Sequence, residues 1–420
     1  MELKSITVKG YRNVSNVKLD FGDLTSVLSL NNYGKSNLLT AIVFGVSFMQ
    51  RHPKEKQLMM NDVTRVPMLK NNDNSKFEFE LECESIIDNI KYEISYLYSF
   101  NWANYNEKKN GKIISELLKI KGSQDIGGTY IKRENKNATY RPSLTGRCSA
   151  DLSIDDNELV INKLMAYDNL FYLNVIKTLL NDVNIYIDRH FDPSSRYGTT
   201  FMSEQELMDL KFNPELNIPK TLYGIKKNHP DKFELLVNVF KSLFPSIKNL
   251  YVDEIAKVEN GLRQNLAAYS LFVQDENLVS YVNFLAMSDG ARRILLLLTA
   301  VVLGQINNLS LICIEEPENS IHPGLLRKFI YSISKLSGNT KILFSSHSPY
   351  IINYMRPEDI YIGLPQNNGV AVFKKLKTNT NAKKKLERDI LDSNMQLGDY
   401  LFDLMSGSEE DLEELRSYVE

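Results

Sequence analysis

Four short stretches of this sequence hold residues suited to phosphate chemistry. Ser29–Ser36 (SLNNYGKS) has the spacing of a phosphate loop at Gly34, Lys35 and Ser36, with Ser29 where the first glycine belongs. In such a loop backbone N–H groups face an anion at a helix N-terminus, the lysine reaches β- and γ-phosphates, and the hydroxyl ligates Mg²⁺. Asn32 tolerates the left-handed backbone that a tight loop needs. Ser310–Glu318 (SLICIEEPE) is an apolar run ending in two acids, as when a buried strand delivers carboxylates to a phosphate site. There Glu315 suits Mg²⁺, through water, and Glu316 suits a general base that polarises the attacking water. Lys341–Pro349 (KILFSSHSP) ends a strand in hydroxyl residues and His347, a candidate sensor of a γ-phosphate, and Met287–Arg293 (MSDGARR) precedes an apolar helix. Each stretch also has a bland reading: a turn opening a helix, a solvated strand end, a structural histidine and an N-capped helix start.

The surrounding pattern supplies elements to position these groups. Residues 3–9 and 16–21 alternate like half-buried strands, and Thr25–Leu30 reads as a buried strand that meets the glycine-lysine turn and a helix over Asn37–Met49. Further strands are expected at Lys76–Cys83, Lys91–Phe100, Lys112–Lys121 and Thr129–Arg133, forming an antiparallel sheet. Helical runs follow from Asp151 to Ser246, including Leu159–Leu180 and Asp231–Phe244. A βαβ rhythm closes the pattern: a helix from Ala291, a strand at Leu309–Ile314, a helix after Pro323 and a strand at Lys341–Phe344.

The chain has 420 residues, 43% of them hydrophobic, which excludes a disordered or fibrous protein. Its 50 basic and 52 acidic side chains leave a net charge of −2, so any polyanion surface must be a local patch. Cys83, Cys148 and Cys313 are far apart and outside metal-ligand spacing, which suits a reducing compartment. The longest apolar run, Ile294–Gly304, is about half of what a membrane crossing needs. We therefore expect a soluble, cytoplasmic protein with no membrane partner.

In their order along the chain the four stretches resemble the ABC-type ATPase head of the structural-maintenance-of-chromosomes, RecF and OLD-like superfamily. Asn31–Leu39 (NNYGKSNLL) is similar to the Walker A motif, which assigns Asn31, Asn32, Gly34, Lys35, Ser36 and Asn37 to the nucleotide. Met287–Arg293 is similar to the signature loop, Ile312–Pro323 (ICIEEPENSIHP) to Walker B with its D-loop, and Ser345–Pro349 to the switch-histidine loop. The opening LKSITVKGYRNV, the strand at Ile114–Leu117 and the helical middle extend the likeness. Ser29 and Glu315 depart from the pattern, which has glycine and aspartate there, although acid pairs of this kind occur in the OLD-like branch. Gln50 is a candidate for the Q-loop glutamine.

The resemblance implies an α/β fold: an ABC-type P-loop ATPase head with an antiparallel β subdomain and a helical insertion. Its parts would be an N-terminal ATPase lobe (1–150), the insertion (151–261), a C-terminal ATPase lobe (262–365) and an extension (366–420). It implies a slow or regulated ATPase using ATP and Mg²⁺, with Glu316 and His347 catalytic and Ser36 and Glu315 on the metal. It also implies that Ser288 and Gly290 meet the γ-phosphate held by a partner subunit, so that ATP joins a homodimer or higher homo-oligomer. OLD-like nucleases carry a nuclease domain after this head, and the residues after His347 are too few for one. Asp188, His190 and Asp192 (DRHFD) suit either a metal or a charged surface. A head without its own effector resembles the ATPase subunit of antiviral systems of the Septu type, with the PARIS ATPase as competitor. A separate nuclease, HNH-type in preference to TOPRIM-type, would then be the partner. The basic stretches Lys108–Arg147 and Lys374–Arg388 admit DNA as a further partner, and the acidic end Glu409–Glu420 suits a flexible tail or a partner contact. The competing functions are a RecF-like loader that clamps duplex DNA and a nucleotide-locked scaffold with little turnover.

Overall fold

A computed structural model describes residues 1–67, 76–104, 108–122, 127–189, 196–197, 201–203, 217–259, 265–364 and 369–420. The first elements are β1 (Glu2–Tyr11), β2 (Val14–Asp20), β3 (Leu24–Leu28), α1 (Lys35–Gln50), α2 (Pro53–Met60), β4 (Lys76–Ile87), β5 (Ile90–Asn101), β6 (Lys112–Gly122), β7 (Gly128–Glu134), β8 (Asn137–Tyr140) and β9 (Ala150–Leu152). Next come α3 (Val160–Leu164), α4 (Leu173–Asn181), β10 (Ile185–Asp188), β11 (Phe201–Ser203), α5 (Ile218–Asn228), α6 (Pro230–Leu243), β12 (Ile247–Glu259), β13 (Asn265–Asp275), β14 (Val282–Asn283) and α7 (Asp289–Ile306). The chain ends with β15 (Leu311–Glu315), α8 (Pro323–Leu336), β16 (Lys341–Ser346), α9 (Pro349–Ile352), β17 (Ile360–Leu364), β18 (Val372–Lys375), α10 (Thr380–Ser393), α11 (Leu397–Ser406) and α12 (Glu409–Ser417). Two compact units result: Met1–Tyr186 with Leu343–Glu420, and Ile187–Ile342.

The first unit holds an eight-stranded sheet in the order β2-β1-β4-β5-β6-β7-β8-β9, antiparallel at every pairing. Its strands have one buried face because their apolar residues alternate: in β4, Phe77, Phe79, Leu81 and Cys83 are buried between half-buried acids. The apolar stripe of α1 covers that face. Phe44 meets Phe77 edge-on at 5.1 Å, and Phe48 stacks on Phe100 at 4.7 Å. Gly45 allows this approach, since a Cβ there would lie 2.0 Å from the Phe79 ring, and its carbonyl accepts from Tyr98 Oη at 2.7 Å. The same unit contains the run β16-β3-β17-β18, with β3 parallel to β17 and β18 antiparallel to it.

The second unit holds β15 and a smaller sheet that runs β11-β13-β12 with β14 on β13. Every residue of Ile294–Gly304 in α7 is buried, which explains a run apolar on all sides. Among the described residues no helix is long and apolar enough to cross a membrane.

Three expectations change. The run Leu159–Leu180 divides into α3 and α4, with Asp168 and Asn169 in the turn region between them, where such side chains favour the break. Residues 151–261 are not wholly helical: they include β10, β11 and β12. The acidic end is no loose tail. Ser408 and Asp411 form a capping box for α12, Val419 bridges Leu376, and the buried Tyr418 bonds Asp389 at 2.5 Å and Glu414 at 2.8 Å. Cys83, Cys148 and Cys313 are free thiols, and burial pushes that of Cys83 up to about 12.

Candidate nucleotide site

In the first unit β3 ends at Leu28 and the chain turns through Ser29–Gly34 into α1. Left-handed backbone occurs at Asn32 (φ 63°) and Gly34 (φ 97°). Gly34 is required twice over, because a Cβ there would lie 2.8 Å from the Asn13 amide and 2.9 Å from Ala371 Cβ. The N-terminus of α1 has no side-chain cap and no acid in its first turn, so its N–H groups and dipole favour an anion.

Lys35 is 9% exposed. Its ammonium donates to Ser29 O at 2.7 Å, Leu30 O at 3.1 Å and Ser29 Oγ at 3.3 Å. The irregular residue of the motif is therefore a partner of its lysine. Its side chain fits because the neighbouring strand lacks one: a Cβ on Gly363 of β17 would lie 2.5 Å from Ser29 Cβ. Asn31, Asn32 and Ser36 are exposed, with Ser36 in the first turn of α1. Asn37 engages the β1–β2 turn, donating to Asn13 Oδ1 at 2.8 Å and accepting from Arg12 at 2.9 Å.

His347 is half-buried just beyond β16, and Ser346, the last residue of that strand, accepts from the Ser29 amide at 3.4 Å. The histidine loop and the start of the phosphate loop are thus neighbours within this unit. Ser346 Oγ accepts from the Ser348 amide at 2.9 Å, folding the chain back around His347. Gln50 is the last residue of α1, about 22 Å along the helix from the loop, and bonds the Val183 carbonyl at 2.7 Å. This position does not suit a glutamine serving the phosphate loop.

In the second unit Leu311–Ile314 are buried and Glu315 and Glu316 half-buried. Among the described residues the Glu315 carboxylate makes no hydrogen bond or ion pair, and a half-buried carboxylate in that state suits a cation. Glu316 has φ 47° and Ser320 φ 65°, positions that L side chains rarely adopt. Asn319 closes the turn, its amide donating to Glu316 Oε2 at 2.5 Å and its N–H to Glu316 O at 3.1 Å. His322 caps α8, accepting from Gly324 N at 3.1 Å.

The signature-like stretch also realises its bland reading: Ser288 is the N-cap of α7, with Oγ 3.3 Å from Ala291 N. Gly290 lies against the acidic turn, so that a Cβ there would be 2.4 Å from Ser320 O. Asp188, weighed as a metal ligand, instead pairs with the buried Arg293 at 2.7 Å, while His190 and Asp192 lie outside the described residues. Among the described residues no group of three or more metal-ligating side chains occurs.

Arg12 and Arg293 lie in stretches that the sequence singles out, LKSITVKGYRNV and MSDGARR, but their types gave neither an individual role, whereas Gly363, inside the strand pattern IYIGL, was a signal of close approach.

A strand that opens through a lysine loop into a helix, and a buried strand that ends in paired acids before a histidine-tipped strand, define an ABC-type P-loop ATPase head. Residues 30–353 match the family model described as "AAA domain, putative AbiEii toxin, Type IV TA system", and the chain belongs to that family. It is 28% identical over 141 residues to the DNA replication and repair protein RecF of Natranaerobius thermophilus, spanning 32% of this chain and about a third (36%) of that relative. The fold is that of the SMC head solved with the C-winged helix domain of ScpA, at TM-score 0.52 and 12% identity over 91% of this chain and all of that one. The SMC head domain from Thermotoga maritima aligns at TM-score 0.46 and 12% identity, over 90% of this chain and all of that one.

Proposed function

We propose that this chain binds and hydrolyses ATP, and that ATP joins two or more copies through their heads. The observation that carries the reading is the phosphate loop: a buried lysine at an uncapped helix N-terminus free of acidic residues in its first turn. Asn31, Asn32, Gly34, Lys35, Ser36 and Asn37 are the residues assigned to the nucleotide. Arg12 adds a second cation beside Asn37. Ser36 and Glu315 would hold Mg²⁺, which supplies charge neutralisation at the phosphate oxygens. Glu316 takes the proton of the attacking water and later returns it to solvent. His347 contacts the γ-phosphate and senses its loss, and Ser288 and Gly290 meet the γ-phosphate of the partner subunit. In this reading 1–150 and 262–365 are the two lobes of the head, 151–261 an insertion and 366–420 an extension.

Lys35→Ala tests the core of the reading. We expect affinity for a non-hydrolysable ATP analogue to fall by about tenfold or more in titration calorimetry, since the loop loses its side-chain cation. Unchanged affinity in a folded variant overturns it.

The finer reading is a sensor and scaffold subunit of an antiviral defence complex, similar to the Septu ATPase and controlling a separate nuclease. The resemblance supports it, as does a family description that speaks of a toxin and a type IV system. The second reading, a RecF-like ATPase that clamps DNA, is supported by the local identity to RecF. Co-purification with the product of the neighbouring gene separates them: an HNH-type or TOPRIM-type nuclease supports defence, and a replication or repair protein supports the clamp.

A further inference from the structure

The acidic turn is strained at both ends. Glu316 and Ser320 hold left-handed φ without being glycine, and such geometry persists only where its surroundings impose it. Both ends are met by α7. At one end, the guanidinium of Arg293 donates to Glu315 O, the carbonyl of the peptide that leads into Glu316, at 3.4 Å. At the other, Gly290 brings its bare Cα against Ser320 O.

Arg293 is 1% exposed, and its charge is balanced by Asp188 at 2.7 Å. A buried ion pair is a poor source of stability, because well-packed apolar residues of like volume serve as well or better. What an arginine offers is a planar fork, with one nitrogen for the carboxylate and another for a carbonyl. Here Nη1 takes Asp188 and Nη2 takes Glu315 O. Tyr197 fixes the same turn of α7 by donating to Arg292 O at 2.6 Å.

We propose that Arg293 is a positioning residue for Glu316: through the Glu315–Glu316 peptide it ties the first turns of α7 to the acidic turn. A displacement of the Ser288–Gly290 loop is then transmitted to Glu316 within one chain. A 3.4 Å hydrogen bond is long, so a shift of a few tenths of an ångström makes or breaks the link. The inference rests on the proposed role of Glu316 as general base.

Arg293→Lys tests it, keeping a cation for Asp188 but losing the fork. In the nucleotide-free protein we expect hydrogen exchange at the amides of Glu316 and Glu318–Ser320 to quicken by about fivefold or more, while those of Leu295–Leu303 keep their protection. Turnover should fall by about tenfold or more, with Kd for the ATP analogue within about twofold of the parent. In a Glu316→Gln background the lysine variant should add no further loss, because the group it positions is gone. Unchanged exchange at 316–320, a loss of protection shared by all of α7, or an additive loss of turnover overturns the proposal. If the parent binds ATP without hydrolysing it, the hydrolysis reading fails and the exchange measurement still decides whether Arg293 holds the turn. Should Arg293→Lys not fold, Gly290→Ala disturbs the other end of the turn and is judged by the exchange outcome alone, because Gly290 is itself assigned to the partner's γ-phosphate.

Discussion

At the phosphate loop the left-handed positions belong to Asn32 and Gly34, residues that accept them, whereas at the acidic turn they belong to Glu316 and Ser320, which do not. The loop's one irregular side chain, Ser29, is relieved by the missing side chain of Gly363 and employed by Lys35. At the acidic turn the missing side chain of Gly290 makes room for Ser320 O but leaves the left-handed angles at Glu316 and Ser320 in place. It keeps its geometry through Asn319 and through the contacts from Arg293 and Gly290. The left-handed positions of the phosphate loop fall on residues that accept them, while those of the acidic turn are held by Asn319 and by contacts from a neighbouring helix. A group held from outside is one whose position a second element can change.

The largest expected effect separates the two regions outright. Glu316→Gln should retain ATP and lower turnover by about 10²–10⁴-fold, since the amide nearly keeps the shape but accepts no proton. Single-turnover assays check this, and normal hydrolysis by the variant removes Glu316 from the role of base. Next, Ser288→Arg should leave nucleotide binding by each chain intact while abolishing ATP-driven closure of two heads, because bulk and charge then occupy the proposed contact with the partner's γ-phosphate. Crosslinking across the head interface in the Glu316→Gln background reads it, and heads that still close would break the assignment of the signature loop. The smallest effect sharpens the account of the phosphate loop. Gly363→Ala should cost about 1–3 kcal/mol by thermal melting, because its Cβ collides with that of Ser29. Adding Ser29→Gly should return part of that loss, Phe373 remaining 3.0 Å from the new Cβ. A Gly363→Ala protein as stable as its parent would show that the pair is not coupled.

The sheet strands, the helix after the phosphate loop, α7 and the strand carrying the acids were legible because period-two and buried-run patterns are local properties of sequence. So were Lys35, Glu315 and Glu316, whose types and spacing suit phosphate chemistry. The turn between α3 and α4 was missed because a continuous apolar spacing outweighed two turn-favouring residues. Tyr418 anchors an end whose acidic composition suggested solvation, and composition carries no record of one well-packed aromatic. Arg12 with Asn37 and Arg293 with Asp188 join residues far apart in sequence, and the strain at Glu316 is a backbone angle that no residue pattern announces.

The exchange of a glycine between Ser29 and Gly363 has a consequence for descent. A Cβ on Gly363 would collide with that of Ser29, so a lineage that gains a side chain at 29 is viable while 363 is bare. On this geometry the two positions should be inherited as one character though more than three hundred residues part them. Related chains should therefore show a glycine at one of the two places more consistently than at either alone, and a phosphate-loop pattern written on consecutive residues will overlook those that keep theirs on the neighbouring strand.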